Sequence, residues 1–154
     1  MNNTKNMLGS NHYVPVLKWK RAEQTALKGL TEDDKKNITP LIQLVLPKPR
    51  RSRDEMRDMF NEEILKEIVE LFREKLSKFP EEIEVSWGTR PIFVDLSLLY
   101  SDDPINFKIE TFKQILKTGD ERGICLVPVI NLSDNEEFQK EVCLLSEQYN
   151  SGLC

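Results

Sequence analysis

Ile38-Thr39-Pro40-Leu41-Ile42-Gln43-Leu44-Val45-Leu46 is the stretch that decides how this chain folds. Branched aliphatic residues crowd it, Pro47 closes it, and one amide, Gln43, interrupts it. A continuous apolar run of this kind is buried on both faces, the condition of a strand inside a parallel sheet. Comparable runs are Tyr13–Leu17, Pro91–Leu96 and Cys125–Leu132. An amphipathic stretch follows each run, so the order reads β-α-β-α-β-α-β-α.

The helical stretches carry their own signals. Ala22–Leu30 is short, and Gly29 suits its C-terminal end. A second helix is predicted from Arg53 to Phe79, with Met56, Phe60, Ile64, Ile68, Leu71, Phe72 and Leu76 on one stripe and Pro80 as its stop. A third, Ile105 to Thr118, buries Phe112, Ile115 and Leu116 and closes on Gly119. The last starts after the cap candidates Ser133 or Asp134 and carries Phe138, Val142 and Leu145. Between the second helix and the third strand, Glu81–Arg90 reads as an irregular insert, with a short extra strand holding Trp87. These stripes are read as core against a sheet, not as cofactor boxes.

Parallel strands joined by right-handed crossovers leave a doubly wound open sheet or part of a (β/α)8 barrel. The fold class expected is α/β, four β/α units with parallel strands forming half of a TIM-like barrel. Residues 1–12 are expected to be a disordered lead, 13–149 one domain, and 150–154 a flexible tail. At 154 residues the chain is long enough to bury a core.

Composition narrows the function classes. The contents of 39% hydrophobic and 31% charged residues are those of an ordinary globular protein. A net charge of -4 argues against a generic polyanion binder but leaves room for a local basic patch. No run approaches the roughly 20 apolar residues of a membrane span, and the N-terminus lacks the apolar core of a signal peptide. The cytoplasm is the expected location, and no membrane partner is expected. Cys125, Cys143 and Cys154 show no zinc-ligand spacing and no disulfide framework; the first two are read as small buried hydrophobes and Cys154 as a free thiol. His12 is the only histidine, which leaves little room for a Ser-His-Asp triad. There is no Gly-rich phosphate loop, nucleotide fingerprint or HExxH helix. Neither a metal nor a cofactor is expected.

Chemistry is expected where the strands end, because functional groups gather at the carboxyl ends of parallel strands. Parity places Val14, Val16 and Lys18 on one face of the first strand, and Thr39, Leu41 and Gln43 on one face of the second. Phe93 and Asp95 share a face in the third, and Val127, Val129 and Asn131 in the fourth. Lys18, Gln43, Asp95 and Asn131 are therefore expected to converge in one layer. That strand ends are polar because loops are polar accounts for Lys20, Arg21 and Ser97. It does not account for Gln43, followed by Leu44, Val45 and Leu46, nor for Asp95 between Val94 and Leu96. A Lys18–Asp95 ion pair that only braces the sheet is the structural version of the same layer.

After the second strand comes Pro47-Lys48-Pro49-Arg50-Arg51-Ser52-Arg53. With Lys18, Lys20 and Arg21 it would form a cationic rim suited to phosphate or another anion, possible ligands being a phosphate-containing small molecule or nucleic acid. A solvated charged loop is the plainer reading of each arginine alone. Lys18 and Asp95 are the candidate catalytic residues, and Lys20, Gln43, Asn131, Lys48, Arg50 and Arg51 the candidate ligand contacts. A Schiff-base role for Lys18 has a precedent in barrels that bind pyridoxal phosphate, but Trp19-Lys20-Arg21 does not match their small-residue continuation.

Tyr13–Leu27 (YVPVLKWKRAEQTAL), ITPLIQLV, PIFVDLSLL and CLVPVINL together resemble the phage-type beta protein family, from about Tyr13 to Leu145. Lys18, Lys20 and Glu23 match the family's opening motif, and Gln43 stands where the resemblance would place an acidic residue. The resemblance implies a (β/α) barrel encoded in phage, prophage or bacterial defence-like gene clusters, without an activity to carry over. A closed barrel needs eight strands and typically about 250 residues. Four units imply a homodimer, a separately encoded second half-barrel, or a truncated member. The expected function is a binding or regulatory component of such a module, with an enzyme acting on a phosphorylated small molecule or a non-functional fragment as alternatives.

Overall fold

The computed structural model describes residues 11–48, 62–101 and 103–154. The elements run β1 (Val16–Lys18), α1 (Arg21–Gly29), α2 (Glu32–Lys36), β2 (Leu41–Gln43), α3 (Glu62–Ser86), β3 (Ile92–Asp95), α4 (Pro104–Glu121), β4 (Leu126–Pro128) and α5 (Glu136–Gln148). The strands form one sheet in the order β1-β2-β3-β4, and every pairing is parallel. This is a mixed α/β fold built of β/α units. Because the order never reverses, right-handed crossovers bring successive helices over the same face. The helices accordingly pack α1 on α3, α3 on α4 and α4 on α5.

The register separates two faces. Leu17, Ile42, Val94 and Pro128 lie level across the sheet. Ile42 and Val94 join Ile92, Leu126, Phe72, Leu76, Phe112 and Ile115 in the main core, with Leu17 packed against it. The opposite face carries Val16, Leu41, Phe93 and Val127 in one row and Lys18 and Gln43 with Asp95 in the next. Phe93 and Val127 are buried yet lie outside the main core cluster, while Val16 on the β1 edge is 60% exposed. The strands are shorter than the apolar runs, although single bonds such as Trp19 N–H to Gln43 O (3.0 Å) and Leu44 N–H to Asp95 O (3.1 Å) extend the pairing slightly.

Several boundaries differ from the sequence reading. Pro80 does not stop the second helix; α3 continues through it to Ser86. Proline removes one intrahelical bond and crowds the preceding turn, but Phe79, Pro80, Ile83 and Trp87 are all buried there, and that burial offsets the loss. Glu81–Arg90 is therefore not an irregular insert with an extra strand. Trp87 sits 1% exposed just past the helix, its indole N–H donating to the Pro91 carbonyl at 3.2 Å. The actual stop is Gly88, at φ +94°, whose N–H reaches back to the Ile83 and Glu84 carbonyls at 3.1 Å.

Gly119, expected as the third helix's end, lies inside α4 and is buried against β4. The fourth helix starts one residue beyond its expected caps: Asn135 accepts from Glu137 N–H at 2.8 Å, while Asp134 accepts the Asn131 N–H at 2.7 Å. Helix α2 was not anticipated; Thr31 and Asp34 build a capping box at its start. The N-terminal part of the expected second helix, including Met56 and Phe60, and the lead through residue 10 lie outside the described residues. At the other end, Cys154 donates to the Pro128 carbonyl and accepts from Ile130 N–H, both at 2.9 Å, the pair of bonds a parallel neighbour of β4 makes. Among the described residues no helix is long and apolar enough to cross a membrane.

Candidate functional site

The strand ends bring together three of the four residues that parity placed in one layer. Lys18 is level with Gln43, and Gln43 with Asp95. Asn131 is not in that row. Val94 pairs with Pro128, so the residue level with Asp95 is Val129. Asn131 lies two residues further on, exposed in the turn before α5, with its carbonyl accepting from Gln139 at 3.3 Å.

Within the row, Asp95 is 8% exposed and its acceptors are engaged. Oδ1 accepts Ser97 N–H at 2.8 Å, and Oδ2 accepts Ser97 Oγ–H at 2.7 Å and the Gln43 amide at 3.0 Å. Lys18 is exposed, and among the described residues it makes no ion pair with Asp95. The brace across the sheet is thus an amide-carboxylate bond between β2 and β3. His12, at the opposite end of the sheet, bonds Thr39 through its ring nitrogen at 2.8 Å.

Next to this row opens a cleft of about 810 Å³, between the ends of β1 and β2 and the flank of α3. Lys18, Lys20 and Arg21 enter from the β1–α1 turn, Lys48 from the segment after β2, and Lys75 and Lys78 from α3. Against these six cationic side chains stands, among the described residues, one lining carboxylate, Glu82. Its Oε2 accepts the Trp19 indole N–H at 2.8 Å and the Gln24 amide at 3.1 Å. Of the six cations only Lys78 has an ion pair among the described residues, with Glu74 on the solvent face at 3.9 Å. Trp19, Val45, Leu46 and Pro47 are half-buried along the walls. Phe79 meets Trp19 edge-on, with centroids 5.4 Å apart.

Lys18, Lys20 and Lys48 therefore lie around one concavity, as does Arg21 from the expected rim. Arg50 and Arg51 lie outside the described residues. Gln43, Asp95 and Asn131 do not line the cleft. Sequence reasoning missed Lys75, Lys78 and Glu82, because placing a stop at Pro80 removed Glu82 from the helix that carries the two lysines. The signal that could have found them is the spacing Lys75-Lys78-Glu82, which keeps all three on one side of a continuous helix. Among the described residues no group of three or more His, Cys, Asp or Glu side chains could hold a metal ion.

Fold and cleft together define an all-parallel α/β protein with a basic concavity at the carboxyl ends of its first two strands. The chain belongs to the Beta protein family, which it matches over residues 13–152. No curated protein and no solved structure matches it.

Proposed function

We propose that this Beta protein family member is an anion-binding protein whose cationic cleft receives a phosphate-bearing ligand, and that it serves as a binding or regulatory component. The observation that carries this reading is the charge arrangement. Six cationic side chains from three separate segments face one cleft, and the single lining carboxylate among the described residues is already held by Trp19 and Gln24. Such convergence raises the local concentration of anions even on a chain of net charge -4. The sequential strand order and the exposed Val16 on β1 support reading these four β/α units as half of a TIM-like barrel. The phage and defence-like setting implied by the family resemblance belongs to this proposal as well.

The enzymatic alternative, with Lys18 and Asp95 acting as a pair on a phosphorylated small molecule, draws less support. Both Asp95 oxygens are occupied by neighbours. Lys18 is exposed rather than desolvated, unlike a lysine activated by burial.

Titration with inorganic pyrophosphate tests the anion-binding reading. Saturable binding is expected, falling as salt rises and weakened at least about tenfold in the double variant Lys75→Ala/Lys78→Ala. Absence of saturable binding, or binding indifferent to both salt and the double variant, would overturn it.

A further inference from the structure

Resting on that anion-binding reading, we infer that the cleft takes a nucleoside monophosphate: an anion joined to a ring bearing an N–H donor, rather than a bare anion or an extended polyanion. Its size is the first reason. A cleft of about 810 Å³ falls in the range of sites for small organic ligands, roughly 300–1,000 Å³, and a lone phosphate would leave nearly all of it empty. Its wall chemistry is the second. Half-buried Trp19 and the Val45–Pro47 segment offer flat and apolar surface beside the lysines, and aromatic faces of this kind stack nucleobases.

Glu82 is the third reason. In a site serving only anions a carboxylate repels the ligand. Glu82 nevertheless makes no ion pair with the cleft lysines among the described residues; its Oε2 is fixed by Trp19 and Gln24. Its Oε1 has no hydrogen-bond partner there and is not sealed from solvent. An oriented acceptor beside an aromatic wall reads the N–H edge of a base. The cations also converge on one concavity from three segments, which suits a compact phosphate better than a polymer backbone.

Calorimetric titration of the full chain with adenosine monophosphate, ribose 5-phosphate, inorganic pyrophosphate and a single-stranded oligothymidylate distinguishes the possibilities. Adenosine monophosphate is expected to bind at least about tenfold more tightly than ribose 5-phosphate. Glu82→Gln keeps an acceptor for the Trp19 indole, and it should bring that ratio towards one without weakening ribose 5-phosphate. Equal affinity for the two small ligands would overturn the nucleotide inference while leaving anion binding standing. So would a ratio unmoved by Glu82→Gln, or binding of oligothymidylate without adenosine monophosphate. Failure of all four ligands would remove both readings.

Discussion

Gln43 on β2 donates its side-chain amide to Asp95 Oδ2 on β3 at 3.0 Å, joining two neighbouring strands at the level where both end. Ser97 completes the acceptor's shell through its backbone N–H and its hydroxyl. Removing the carboxylate would leave three donors without their acceptor near a buried position, and an unsatisfied buried polar group costs roughly 1–3 kcal/mol. Asp95→Ala is therefore expected to lower the unfolding free energy by roughly 2–3 kcal/mol in urea titration. Lys18→Ala, which removes an exposed side chain without an ion pair among the described residues, should stay within about 0.5 kcal/mol of the parent. Equal effects of the two substitutions would contradict this division of roles.

At Gly119 helix α4 approaches β4 closely. A β-carbon built there would lie 2.8 Å from Leu126 Cδ1 and 3.4 Å from the Ile124 carbonyl oxygen. Leu126 is 2% exposed and has little room to move. Overpacking at such a site typically costs 1–3 kcal/mol, so Gly119→Val is expected to lose roughly that amount. Gly119→Ala should fail to gain the roughly 1 kcal/mol that helix propensity alone would give. Thermal unfolding of both variants checks this, and a stabilised Gly119→Ala would refute the close approach.

The four strands and the helical stripes were legible because continuous branched runs and a helical period mark burial directly. Ile42, Val94 and Leu126 fall in the core as those runs imply. Heights were less legible than faces. Parity put Asn131 on the same face as Asp95, but alternation does not say where a strand ends, and Val129 takes the level expected for Asn131. Local stop signals misled where packing overruled them, at Pro80 inside α3 and at Gly119 inside α4. Helix α2 has no buried residue, so no apolar stripe announced it; the Thr31–Asp34 spacing was its only mark. The cleft became visible only once α3 lay against α1, because nothing local in the sequence ties Glu82 to Trp19.

A surface ion pair makes one contact of this chain, that of Glu32 with Arg90, acid-sensitive. Arg90 hydrogen-bonds Glu32 Oε2, and that bond, with the charges of Arg90, Lys35 and Lys36, holds the Glu32 carboxyl below its ordinary range. A carboxylate whose folded pKa is depressed stabilises the fold above its unfolded pKa, and the contribution disappears as pH falls through the folded value. Arg90→Gln should therefore show a small deficit in melting temperature that is constant near neutrality. The deficit should shrink below about pH 4 and also in high salt. A deficit unchanged between neutral and acid solution would assign Arg90 a packing role instead.

The three thiols should react in an order set by exposure. Cys154 is exposed, whereas Cys125 and Cys143 are half-buried. Burial pushes the Cys125 thiol up from its ordinary pKa, so less of it is thiolate, the species that attacks disulfide reagents. Its sulfur lies 4.0 Å from the Ser151 carbonyl, in the segment leading to Cys154. With an aromatic disulfide reagent at mildly alkaline pH, Cys154 should label at least about tenfold faster than Cys125. Cys154→Ser should abolish the fast phase, and urea should merge the remaining thiols into one fast phase. Rapid labelling of Cys125 in the native Cys154→Ser variant would show that the segment around Ser151 does not shield it.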